Sequence, residues 1–213
     1  MHAFIYIARS HIYTYNSPSY IMADKDLSPK VQQRILEEFK TNKEVFEELY
    51  TFYYERILKY LLKRTASAES AYDLTAETFI KAFESLHKFK WTGVSIKVWL
   101  YRIAINQLKN HRRKPKNIVL TEKMEGLEQM RTEAKEELEE LDKTLFGDED
   151  LTKLSDAIAT LNPKYQHVVS LHYFEGMSHE EIATVIQRSK SAVKSMMHRA
   201  LTNLRQLLAP NAL

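Results

Sequence analysis

The sequence predicts an all-α protein of two helical domains joined by an acidic linker. Three observations carry this. Only 4 glycines and 5 prolines occur in 213 residues, too few turn formers for a many-stranded β fold. Apolar residues recur at three- and four-residue steps through most of the chain. Finally, the periodic stretches fall into two blocks separated by a run rich in acidic residues.

Residues 1–27 are read as a disordered N-terminal extension, of which residues 1–21 precede an alternative start at Met22. Phe4, Ile5, Tyr6 and Ile7 make it apolar, but Arg9, His2 and His11 interrupt it. It is too short and broken for a bilayer span or a signal peptide, and no membrane insertion is expected elsewhere.

The first domain is expected over 28–117. Ser28 and Pro29 have the N-cap and first-turn pattern of a helix start, and Val31, Ile35 and Phe39 follow on one face. Thr41 and Glu44 read as a capping box for the next helix. Its stripe of Phe46, Leu49, Tyr53, Ile57, Tyr60 and Leu61 reads as core rather than as a cofactor site. A third helix is expected from Ala68 to His87, burying Leu74, Phe79, Phe83 and Leu86. A fourth runs from Ser95 to the cluster His111, Arg112, Arg113 and Lys114, where Pro115 stops it.

Residues 118–150 read as the linker, with Glu133, Glu136, Glu137, Glu139, Glu140 and Asp142 against few bases. The second domain, 151–213, opens with Leu151, Leu154, Ile158 and Leu161 in helical phase. Asn162 and Pro163 end that helix and cap another, which carries Val168, Val169 and Tyr173 and stops at Gly176. Ser178 and Glu181 form a capping box for a short helix with Ile182, Val185 and Ile186. After a tight turn at 187–189, a long helix buries Val193, Met197, Leu201, Leu204 and Leu208.

A short capped helix, a three-residue turn and a second helix make a helix-turn-helix pattern. Arg188, Lys190, Ser191, Lys194, Ser195, His198 and Arg199 lie opposite or beside its apolar stripe, near the N-terminal half that enters a major groove in this motif. Such residues bond base edges and phosphates. On the fourth helix Arg102, Asn106, Lys109 and Arg113 share a face suited to a nucleic-acid backbone. Phe89, Lys90, Trp91 and Lys97 precede it, aromatics interleaved with lysines that could stack unpaired bases. Trp99 is read as core.

Catalytic and metal chemistry find no support. With 0 cysteines there is no disulfide framework or thiolate site. The His179-Glu180-Glu181 run lacks the second histidine of a zinc-protease helix, because Ala183 occupies its position. No catalytic residues, cofactor or metal are expected. The formal charge of +3 says less than its distribution, with bases on two helices and acids between them.

Two runs resemble conserved regions of extracytoplasmic-function sigma factors of the sigma-70 family. Asp73 to Phe83 (DLTAETFIKAF) with Trp99 to Asn106 (WLYRIAIN) resembles region two. Gly176 to Ala183 (GMSHEEIA) with Ser189 to Ala200 (SKSAVKSMMHRA) resembles region four. The regions stand in family order and, with the linker, cover most of 28–208.

The resemblance implies an initiation factor of the cytoplasm that partners core RNA polymerase and promoter DNA. It also admits an anti-sigma protein that buries those surfaces. Asp73, Glu77 and Lys81 would dock on the polymerase largest subunit. The loop from Phe89 to Ile96, with Lys90, Trp91 and Lys97, and the face of Arg102, Asn106, Lys109 and Arg113 would bind the minus-ten element. The helix from Lys190 would read the minus-thirty-five element, and the acidic linker would thread toward the RNA exit path. A stand-alone helix-turn-helix regulator is the alternative.

Three departures concern promoter choice. Met196 replaces a common Arg, and Trp91-Thr92-Gly93 differs from the usual Phe-Arg-Gly. Gln187 stands where the turn commonly has Gly, a position it tolerates if the backbone avoids the left-handed region.

Overall fold

The computed structural model describes residues 26–91, 93–113 and 149–208, so expectations about 1–25, the segment 114–148 and Thr92 lie outside the described residues. The helices are α1 (Pro29–Glu38), α2 (Phe46–Leu62), α3 (Ala68–Ser85), α4 (Ile96–Arg113), α5 (Glu149–Thr160), α6 (Pro163–Tyr173), α7 (His179–Ile186) and α8 (Lys190–Leu208), with a 3-10 turn at Leu86–Lys88. No strand occurs among the described residues.

Short polar side chains start many of these helices. Ser28 accepts from the Val31 N–H at 3.3 Å and Ser67 from the Ser70 N–H at 3.2 Å. Asn162 does the same for Lys164. Each satisfies an N–H that the helix itself leaves unpaired. The capping box at α7 is complete: Ser178 accepts from the Glu181 N–H at 3.2 Å and Glu181 accepts from the Ser178 N–H at 2.8 Å.

The box expected at Thr41 and Glu44 does not form. Thr41 donates its hydroxyl back to the Glu38 carbonyl, and Asn42 accepts from the Glu44 N–H. The competing bond to a carbonyl at the end of α1 delays α2 until Phe46.

In the first block, Phe46, Leu49, Tyr53, Ile57 and Leu61 of α2 are buried against Phe79 and Ala82 of α3 and Leu100, Ala104 and Leu108 of α4. Phe83, half-buried, packs edge-on to Phe39 and Phe46 with centroids 5.4 and 5.2 Å away, the geometry that ring quadrupoles favour. Gln32 is buried; its amide donates to the Leu27 carbonyl and its oxygen accepts from the Ile96 N–H at 2.7 Å. One side chain thus ties the start of α1 to the start of α4.

The second block encloses Ile158, Leu161, Val168, Val169, Leu171, Ile182, Val185, Val193, Met197 and Leu204. Gly176, at φ 65, lets the chain leave α6, and the Met177 N–H returns to the Leu171 carbonyl. Two residues expected inside are outside: Tyr173 is 53% and Leu208 42% exposed. Both lie in the last turn of their helices, where no further element among the described residues covers them. The blocks touch, with α7 lying against α4 and α6 closing over the ends of α2 and α4.

Candidate nucleic-acid and polymerase interfaces

The turn between α7 and α8 is built on Gln187, which takes φ 57 and ψ 54, the left-handed conformation. The condition on which glutamine fits this turn, a backbone outside the left-handed region, is therefore not met. Both the Gln187 and Arg188 N–H groups return to the Ala183 carbonyl, closing the C-terminus of α7. For a residue with a Cβ this geometry costs roughly 1 kcal/mol, which the two hydrogen bonds help offset. Ser189 then accepts from the Ala192 N–H at 3.2 Å and caps α8.

On α8 the apolar stripe is Val193, Met197, Ala200 and Leu204. Arg188, Lys190, Ser191, Lys194, Ser195, His198 and Arg199 are all exposed, as expected. Lys190 pairs with Glu180 of α7, bracing the two helices across the turn. Ser195 donates to the Ser191 carbonyl at 3.1 Å. Its hydroxyl oxygen keeps acceptor capacity.

On α4, Arg102, Lys109 and Arg113 are exposed and Asn106 is half-buried. Lys109 faces Arg188 and lines a cleft of about 520 Å³ with Lys164, Arg188, Ser195 and Arg199. Its pKa is lowered by desolvation and by the charges of Arg188 and Arg113, as expected of clustered cations. Lys164 belongs to this cluster and was missed, since it sits one helix away in sequence. Arg102 donates to the side-chain oxygen of Gln187 at 3.2 Å in the amide orientation that satisfies both groups.

Lys97 departs from expectation. It is 4% exposed; its ammonium donates to the Glu175 carbonyl at 3.2 Å and lies 3.8 Å from Asp26. In this arrangement it cannot reach DNA, because the end of α6 covers it. Trp91 is half-buried beside Gly93, Ser95, Gln32 and Glu181, while Lys90 is exposed. Gly93 has φ 83, a conformation that suits glycine. Trp99 packs on Phe89 at 5.2 Å and is half-buried, a shallower place than the core position expected.

On α3, Asp73, Glu77 and Lys81 are exposed on the side opposite Leu74, Thr78 and Phe79. Buried Gln107 of α4 joins two of them: its amide donates to Glu77 at 2.5 Å and its oxygen accepts from Lys81 at 2.6 Å. Tyr72 and Ile80, 41% and 47% exposed, flank these charges. Neither was singled out, although both fall out of phase with the buried stripe, and that phase is the signal that marks them.

A helix-turn-helix with a basic, polar outer face, coupled to a helical block carrying a second basic helix, defines a two-domain DNA-binding protein of transcription. Residues 49–117 match Sigma-70 region 2 and residues 151–204 match Sigma-70, region 4. The chain is similar to RNA polymerase sigma factor YlaC of Bacillus subtilis, 35% identical over 167 residues that cover 78% of this chain and 92% of the relative. It is also similar to the ECF RNA polymerase sigma-E factor of Haemophilus influenzae, 29% identical over 201 residues, 89% of this chain and 97% of the relative. Among solved structures, that of CnrH in complex with the cytosolic domain of CnrY superposes with a TM-score of 0.59 at 17% identity, covering 85% of this chain and 99% of that one.

The chain belongs to the extracytoplasmic-function branch of the sigma-70 family. It is a sigma factor, the subunit that binds core RNA polymerase and directs it to promoters. Sigma factors are non-catalytic initiation factors. No described helix is long and apolar enough to cross a membrane.

Proposed function

We propose that the sigma activity is divided among three surfaces of this chain. The exposed face of α8 and its turn, with Arg188, Lys190, Ser191, Lys194, Ser195, His198 and Arg199, reads the minus-thirty-five element. The face of α4 with Arg102, Asn106, Lys109 and Arg113, and the loop carrying Lys90 and Trp91, engages the minus-ten element. Lys97 joins that set only when α6 moves away. Asp73, Glu77 and Lys81, with Tyr72 and Ile80 beside them, dock on core polymerase.

The observation that carries this reading is the complete exposure of the α8 set over a fully buried Val193, Met197, Ala200 and Leu204 stripe. Lys190 pairs with Glu180, while the other side chains of the set face solvent and are available to a groove. The blocks 28–117 and 151–213 act as the two DNA-reading domains, the acidic segment 118–150 joins them along the polymerase, and the chain itself catalyses no reaction. It works in the cytoplasm, where polymerase and promoters are. CnrH was solved with a CnrY domain, and an anti-sigma protein that covers the α4 and α8 faces fits this chain equally.

The test is promoter binding by holoenzyme reconstituted from this chain and core polymerase. Replacing Lys194 and Arg199 with Ala should weaken binding about 10-fold or more and flatten its salt dependence, since each lost phosphate contact removes about 0.9 from the slope. Full retention of affinity and slope would rule out the α8 assignment.

A further inference from the structure

We propose that Gln32, buried near the start of α1, is a positioning residue for minus-ten recognition. It fixes the end of the 89–95 loop against the chain segment that precedes α1, and so sets how well the loop discriminates among bases. This rests on the assignment of that loop to the minus-ten element made above.

The loop is held at its ends. At the first, Phe89 packs on Trp99 with centroids 5.2 Å apart. At the second, α4 begins at Ile96, whose N–H is one of those a helix leaves without an internal partner. Ile96 is fully buried, out of reach of bulk water. The Gln32 side-chain oxygen accepts its N–H at 2.7 Å, from 64 residues away.

The same amide reaches in the other direction. Its nitrogen donates to the Leu27 carbonyl at 2.5 Å. Tyr53, fully buried on α2, accepts from the Leu27 N–H at 3.4 Å and donates to Asp26. Asp26 in turn lies 3.8 Å from the Lys97 ammonium in the first turn of α4. Gln32 thus joins the segment 26–28 to the start of α4 through the two polar ends of one group. Among side chains only the amides of Asn and Gln carry a carbonyl acceptor and an NH₂ donor together, and Asn is one methylene shorter.

Between those two attachments lies a cleft of about 490 Å³. Asp26, Ser28, Pro29 and Gln32 line it from the segment before α1 and from α1 itself, Trp91, Gly93 and Ser95 from the loop, and Glu181 from α7. One wall hangs on Leu27 and the other on Ile96, so the Gln32 amide sets their spacing. Such a volume admits a single base, and Trp91 offers a ring to stack it on. Bases are told apart by contacts to their edges, whereas phosphate contacts carry no sequence information. A loop wall released from Gln32 therefore loses discrimination while the exposed cations of α4 keep their attraction for the backbone.

Base selection by holoenzyme tests this. Gln32→Met keeps the length of the side chain and removes both hydrogen bonds. Holoenzymes made from core polymerase and each full-length chain would select from single-stranded oligonucleotides randomised across the minus-ten element, and the bound pool would be sequenced. The parent should favour one base by about 10-fold or more at the position the loop reads, and Gln32→Met should reduce that preference to about 2-fold. A variant that is merely less stable has fewer active molecules and binds less of every sequence, which leaves the ratio between bases at the parental value. A parental ratio for Gln32→Met therefore overturns the proposal. Tyr53→Phe removes only the hydroxyl that holds Asp26 and Leu27, and should lower the preference in the same direction. Should Gln32→Met fail to fold, a parental ratio for Tyr53→Phe overturns the proposal in its place. Trp91→Ala separates the two readings. Preference lost in Trp91→Ala but kept in Gln32→Met refutes the positioning role alone. No preference in the parent, or parental preference in both variants, refutes the loop assignment and this proposal with it.

Discussion

His167 gives the contact between the two blocks a pH dependence whose size follows from its surroundings. In the closed chain its pKa is lowered from 6.5 to about 3, first by burial, then by the charges of Arg64, Arg112 and Lys109. Tyr60, itself pushed up to about 12 chiefly by burial, stays a neutral hydrogen-bond partner. Were the blocks to part and the chain to open, the imidazole would meet water and titrate near its ordinary value. Closure then favours the neutral ring, so its contribution is complete above about pH 6.5 and declines as pH falls toward about 3. At about pH 5 the open form has gained roughly 1.5 pH units of protonation preference, about 2 kcal/mol or 30-fold in the closing equilibrium.

Glu175 acts in the opposite sense. Burial raises its pKa, so its part of closure is lost as pH rises through the raised value. A Glu175→Gln background removes that opposing group. In that background, dyes on E69C and N203C, both exposed positions, report domain separation by energy transfer. The closed population should fall about 30-fold relative to the open one between about pH 7.5 and pH 5, and His167→Gln should abolish most of that change. An equal fall with Gln at 167 would refute the assignment of the titration to His167.

Other outcomes follow from single features. Gln187→Gly should stabilise the second block by about 1 kcal/mol relative to Gln187→Ala, because only glycine takes the left-handed cap freely; thermal unfolding of the pair of variants measures it. Charge reversal at Asp73 and Glu77 should weaken co-elution with core polymerase while leaving thermal stability of the second block unchanged. Phe46→Ala should destabilise the first block by about 3–5 kcal/mol, since its ring is fully buried against Phe79 and Phe83, read by chemical denaturation.

Much of the fold was legible because short-range rules decide it. The Ser28, Asn162 and Ser178 caps and the stripes of α2 and α8 each depend on residues within four positions of one another. The expectation at Thr41 and Glu44 failed where the sequence offers two satisfactory bonding patterns and the preceding helix selects one. Gln187 shows a related effect. Its side chain disfavours the left-handed region, but closing α7 onto the Ala183 carbonyl demands it. Lys97 shows a larger limit: lysine in a basic stretch reads as solvent-facing, and only the packing of α6, some 78 residues away, buries it.

The same limit applies to the domain boundary. Tyr60, Arg64, Tyr101, His167 and Glu175 look like ordinary members of separate helices, and periodicity assigns Tyr60 simply to the core. Their meaning appears when α2, α4 and α6 converge and the polar atoms on each find partners on the others. An apolar contact of this extent would keep the domains together, as in obligate interfaces. A polar contact such as Tyr60 to His167 and Arg64 to Gln166 instead exchanges its hydrogen bonds for bonds to water when the blocks part, so it holds them less firmly. Arg102, Lys109 and Arg113 stay exposed beside it, so the contact positions the α4 cations without covering them.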